Sequence, residues 1–125
     1  MTTPISVTVA THNGVPVAEV RGELDLSNVA QVRTAIASVV TNTARALIVD
    51  LSDTTYMDSR GVHLLFEIAE RLAQTQQQLV VVVPPLSPIR RLLAITHLDH
   101  AAPIEATVAD AFARLGGAPG PAPVP

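Results

Sequence analysis

The chain has 125 residues, 48% hydrophobic but only 2% aromatic, with a formal charge of −3, no cysteine and no lysine. That length suits one domain, and its core must be built from Val, Leu, Ile and Ala. The scattered arginines offer no basic stripe to nucleic acid, and the missing thiols exclude disulfides, cysteine zinc sites and a thiol nucleophile.

The N-terminal stretch carries neither a basic segment nor a long apolar run, so it does not read as a secretory signal. The longest apolar stretch, 79–83, is far short of the ~20 residues that cross a bilayer. A soluble cytoplasmic domain without membrane contact is expected.

Residues 5–9, Ile-Ser-Val-Thr-Val, alternate as a strand does. His12-Asn13-Gly14 reads as a tight hairpin turn, because Asn-Gly tolerates positive φ. Residues 15–21 return as a second strand, with Pro16 near its start, where a missing N–H does least harm. Gly22-Glu23-Leu24-Asp25 closes that strand, and Ser27 is the expected N-cap of a first helix carrying Val29, Val32, Ala35, Ile36 and Val39. Residues 47–51 suit a buried central strand. A short polar stretch leads to a second helix over 59–74, with Leu65, Ile68, Ala69 and Leu72 inward. Residues 79–83 form the next strand, stopped by Pro84-Pro85. Ser87-Pro88 then pairs an N-cap with a first-turn proline, opening a third helix with Ile89, Leu92, Leu93 and Thr96. A short strand over 102–105 precedes a last helix capped by Thr107 and carrying Val108, Ala111, Phe112 and Leu115. Past residue 115 only Gly, Ala, Pro and Val remain, which predicts a disordered tail over 116–125. A hairpin followed by βα units implies a small α/β domain with one antiparallel edge and an otherwise parallel sheet.

The tetrapeptide Asp58-Ser59-Arg60-Gly61 places a hydroxyl at the start of the second helix. Free N–H groups and the positive end of the helix dipole favour an anion there. Two readings stand. Asp58 or Ser59 is a plain N-cap worth ~1 kcal/mol, or Ser59 is where a phosphate is added and read. Arg60 is placed to pair with a phosphate or a partner's carboxylate, and Gly61 leaves room for close approach. Asp25 and Asp50 fall at the C-terminal ends of strands, with Asp53 and Asp58 in the next loop, at the edge where open α/β sheets bind ligands. The preferred reading is that these carboxylates complement helix N-termini. His97 and His100 stand around a helix end with no evident third ligand, so neither a metal nor a cofactor is expected. His63 lies one helical turn after Ser59, but no nucleophile elbow, P-loop or dinucleotide-binding glycine pattern accompanies the pair, so no enzyme is expected.

Taken together, Gly22-Glu23-Leu24-Asp25, Val49-Asp50-Leu51-Ser52 and Tyr56-Met57-Asp58-Ser59-Arg60-Gly61 resemble the STAS family, and more narrowly the bacterial anti-sigma factor antagonists. The resemblance covers about residues 5–115. It implies a single STAS-like α/β domain over 1–115, with a mixed four- to five-stranded sheet and about four helices. It also implies a switch. In such proteins the serine after the motif aspartate, here Ser59, is phosphorylated by the cognate anti-sigma factor, itself a Ser/Thr kinase. The unphosphorylated antagonist binds that partner and frees the sigma factor, and phosphorylation releases it. Asp25 matches a family aspartate that contributes to partner contact. The family commonly has Ser, Thr or Ala where this chain has Arg60, which would offset part of the about −1.5 to −2 charges of a phosphate. The partner surface is expected around Asp25, Asp58, Arg60, Gly61, His63 and Glu67, extending to Arg71, without direct contact to nucleic acid. The alternatives are a STAS scaffold that is constitutive or ligand-responsive rather than phosphorylated, and a small esterase built on Ser59 and His63.

Overall fold

The computed structural model of the chain describes residues 4–116 and begins with an antiparallel hairpin. Strand β1 (Ser6–His12) pairs along its length with β2 (Val15–Leu24) across the Asn13-Gly14 turn, both turn residues having positive φ. The rest of the molecule is helix α1 (Val29–Ala37), strands β3 (Ala46–Asp50) and β4 (Thr54–Met57), helix α2 (Ser59–Gln74), strand β5 (Gln78–Val82), helix α3 (Arg90–Ile95), a 3-10 turn (Leu98–His100), strand β6 (Ile104–Glu105) and helix α4 (Val108–Arg114). The sheet runs β1-β2-β3-β5-β6, parallel from β2 onward, and β4 pairs with the far end of β2.

The two-residue period of the strands divides the core. Ala18, Val20, Leu47, Val49, Leu79 and Val81 meet the apolar sides of α1, α2 and α3 on one face. Val15, Val17, Ala46, Ile48, Val80 and Val82 meet Ala111 and Phe112 of α4 on the other. Every residue of β3 is buried, as its apolar run requires of a strand covered on both faces. Pro16 faces β1 at Thr11, and pairing with β3 starts only at Val17, so its missing N–H interrupts no ladder there. Among the described residues no helix is long and apolar enough to cross a membrane.

The α/β class, mixed sheet and four helices agree with expectation. Four local details differ. Strand β4 adds a sixth strand that the polar composition of 52–55 concealed. Asn28, not Ser27, occupies the N-cap position of α1, and α1 ends at Ala37, before Val39. Ser87 does not cap α3, which starts at Arg90; its hydroxyl accepts from Ile89 N at 3.3 Å in the preceding turn. Thr107 does cap α4, accepting from Asp110 N at 3.0 Å. The expected tail over 116–125 lies outside the described residues apart from Gly116.

Gly22 explains how β4 enters the sheet. Its φ is +105°, and a Cβ there would lie 2.7 Å from the Pro4 carbonyl oxygen, so only glycine fits. The register slips between Gly22 and Glu23, a bulge that redirects the end of β2 from β3 to β4. Thr54, almost fully buried, donates its hydroxyl to the Val20 carbonyl at 2.7 Å and secures the new pairing. Because β2, β3, β4 and β5 run parallel, their C-terminal ends and following loops gather at one edge.

Candidate functional site

Ser59 sits at that edge as the first residue of α2. Asp58, in an extended conformation, is the N-cap: its Oδ1 accepts from Arg60 N at 2.9 Å and Gly61 N at 3.3 Å. Its Oδ2 accepts from Leu26 N at 3.1 Å, and its own N–H donates to the Leu24 carbonyl at 3.2 Å. One aspartate therefore caps the helix and ties it to the loop after β2. The cap belongs to Asp58 alone, which frees the Ser59 hydroxyl. That side chain is exposed and makes no hydrogen bond among the described residues, including none to His63.

The loop 25–28 is locked from within. Asp25 Oδ1 accepts from Ser27 N at 2.9 Å and from its hydroxyl at 2.5 Å. Asn28 Oδ1 accepts from Asp25 N at 3.0 Å, while its amide donates to the Glu23 carbonyl at 2.7 Å. The hydrogen bond from Leu26 to Asp58 brings this loop beside Ser59, joining two motifs that stand more than thirty residues apart.

Of the remaining expected site residues, Arg60 and His63 are exposed on the first two turns of α2. Glu67 lies about 12 Å along the axis from Ser59. It is half-buried and held by Arg33 of α1 at 2.9 Å and 3.3 Å, beside Arg71 on a groove between α1 and α2. Gly61 corrects an expectation. It is buried, and a Cβ on it would come within 2.5 Å of Met57 Cγ and 3.1 Å of Leu24 Cγ. The close approach it permits is by core side chains beneath the helix, not by a ligand above it.

Asp50 Oδ1 accepts from Ser52 N at 3.0 Å and Ser52 Oγ at 2.6 Å, a local turn like that of Asp25. Only Asp58 complements a helix N-terminus, so the shared reading of these carboxylates holds for one of them. Glu19 stands in register with Asp50, and its carboxylate accepts from the Arg21 guanidinium at 2.7 Å. Glu19 first, then Asp53, raises the Arg21 guanidinium further above its already high pKa.

Two further residues stand at the site: Leu26, which no motif contains, and Tyr56, which opens the motif ending at Gly61 but is not among the expected partner residues. Leu26 is 64% exposed and Tyr56 51% exposed, and they flank the start of α2 from the loop after β2 and from β4. Leu26 carries no periodic signal, and Tyr56 belongs to the strand that polar composition hid. Both large side chains stand beside the free Ser59 hydroxyl and the exposed Arg60 guanidinium.

This fold is that of a STAS domain: residues 6–111 match the family described by that name, and the chain belongs to it. Among curated relatives, the anti-sigma-F factor antagonist RsfB of Mycobacterium tuberculosis is 35% identical over 113 residues, spanning 90% of this chain and 91% of that protein. The crystal structure of an anti-sigma factor antagonist from Mycobacterium paratuberculosis superposes with a TM-score of 0.82 at 30% identity, covering 94% of this chain and all of that one. The phosphorylated form of the Bacillus cell fate determinant SpoIIAA shares the fold, with a TM-score of 0.64 at 24% identity over 90% of this chain and 99% of its own.

Proposed function

We propose that this chain is an anti-sigma factor antagonist, a cytoplasmic binding module rather than an enzyme, switched at Ser59. It binds a cognate anti-sigma factor through the edge carrying Asp25, Leu26, Tyr56, Arg60 and His63, and thereby frees a sigma factor without itself touching nucleic acid. The observation that carries this reading is the exposed, unengaged Ser59 hydroxyl at the first position of α2, beside a loop held in place by Asp58. The 35% identity to RsfB supports it independently.

The switch needs no refolding. A phosphate on Ser59 adds about −1.5 to −2 charges at a helix N-terminus, where such charge is locally tolerated. The same charge inside a partner interface, beside Asp25 and Asp58, opposes binding. The anti-sigma factor, acting as a Ser/Thr kinase, supplies the phosphate from ATP.

The test is a pull-down from the source organism, scored by mass spectrometry for an anti-sigma factor and for phosphate on Ser59. Binding is then compared for the wild type, Ser59→Ala and Ser59→Glu with and without ATP. Loss of binding on phosphorylation and in Ser59→Glu, with binding retained in Ser59→Ala, supports the switch. Identical binding by all three, with no phosphate on Ser59, defeats it. The exposed Arg60 beside Ser59 favours a second reading, a STAS module that binds without phosphorylation; ATP-insensitive capture of the same partner selects it.

A further inference from the structure

His97, Asp99 and His100 lie between α3 and β6, in and beside the 3-10 turn. From spacing alone the histidine pair lacks a third ligand. Folding supplies it: one ligand atom from each of the three side chains lies within 4.8 Å of the other two. The imidazoles face each other at 5.2 Å between centroids with a 30° tilt. All three side chains are exposed, and none makes a hydrogen bond or ion pair among the described residues. Leu98 between them is fully buried and fixes the turn to the core, so the three ligands are held on a rigid base. His97 and Asp99 also line an open cleft of about 570 Å³ that contains Arg90 and Arg114.

We infer that His97, Asp99 and His100 form a binding site for a borderline divalent metal ion of the Zn²⁺ class. Two imidazoles and one carboxylate are the donor set that such ions prefer and that Mg²⁺ and Ca²⁺ do not. Donors on a tetrahedral ion with bonds near 2.0–2.1 Å sit roughly 3.3 Å apart. Exposed rings close the remaining gap by rotating about their side-chain torsions. Three ligands from one short turn approach the ion from one side, which leaves at least one coordination position open toward the cleft or solvent. The ion would cross-link the turn between α3 and β6 and stabilise the folded chain by mass action.

The experiment is a calorimetric titration of the full, untagged chain with ZnCl₂, repeated after adding excess MgCl₂. One equivalent should bind, unaffected by Mg²⁺. His97→Ala, Asp99→Ala and His100→Ala should each weaken binding at least about tenfold, since even loss of supporting residues around a metal costs that much. His12→Ala should leave it unchanged. In the wild type, Zn²⁺ should shift the ring resonances of His97 and His100 and leave those of His12 and His63 in place. No saturable binding, undiminished binding in the His97→Ala/His100→Ala variant, shifts at His12 or His63 instead, or half an equivalent bound by a dimer would each overturn the site.

Discussion

The Asp58 carboxylate bonds in two directions: Oδ1 to the first turn of α2, and Oδ2 to the Leu26 backbone N–H at 3.1 Å. Cap and loop are thus one structural unit. Replacing Asp58 with Ala removes both roles and should cost about 1–2 kcal/mol. Asn caps as well as Asp, so Asp58→Asn should recover most of that loss. Urea unfolding of the three proteins measures the difference; equal stability of Ala and wild type would show that the unit contributes nothing.

Ser59 is exposed and makes no hydrogen bond among the described residues, so Ser59→Ala should change stability by no more than about 0.5 kcal/mol. Ser59→Glu should be neutral or stabilising by about 0.3–1 kcal/mol at low salt, through the helix dipole. Thermal unfolding at two ionic strengths checks the sign. Strong destabilisation by Glu would mean that the helix start cannot carry the charge the switch requires.

Gly22 and Gly61 are small for different reasons, and the costs of filling them should differ. Gly22→Ala meets both a positive φ and the backbone carbonyl of Pro4, neither of which can yield. A loss of about 3 kcal/mol is expected. Gly61→Ala meets chiefly the flexible Met57 side chain, which can turn aside. About 1–2 kcal/mol is expected there. Denaturant melts give the order directly, and a reversed order would contradict the packing described for α2.

Leu26 and Tyr56 support little of the fold because so much of each is in solvent. Leu26→Ser and Tyr56→Ala should therefore leave the melting temperature nearly unchanged. If they belong to the partner surface, each should weaken binding to the anti-sigma factor about tenfold or more. Glu67→Ala should weaken it far less, since Glu67 is occupied by Arg33 away from Ser59. Its effect should appear instead as a coupling with Arg33 of about 0.5 kcal/mol in a double-mutant cycle. Surface plasmon resonance and paired melts separate the two outcomes.

What the sequence determined by itself is whatever repeats with a local period or depends on near neighbours. Alternation marked β1 and β2, the apolar runs marked β3 and β5, and the 3.6-residue period marked the inward side of α2. The Thr107 cap, and a cap at either Asp58 or Ser59, followed from side chains that reach backbone groups two or three residues away. The placement of Ser59 at a helix start was legible for the same reason. The tertiary structure alone decided relations between distant segments. Strand β4 exists because a bulge at Gly22 gives it a partner, and the strand-favouring Thr54, Thr55 and Tyr56 are too short a run to show which strand they join. Asp58 reaches Leu26 across thirty-two positions, and Gly61 is required by Met57 and Leu24 beneath it rather than by anything above. Short-range order is written in spacing, whereas contacts between segments depend on how the buried surfaces pack, and packing is a property of the whole chain.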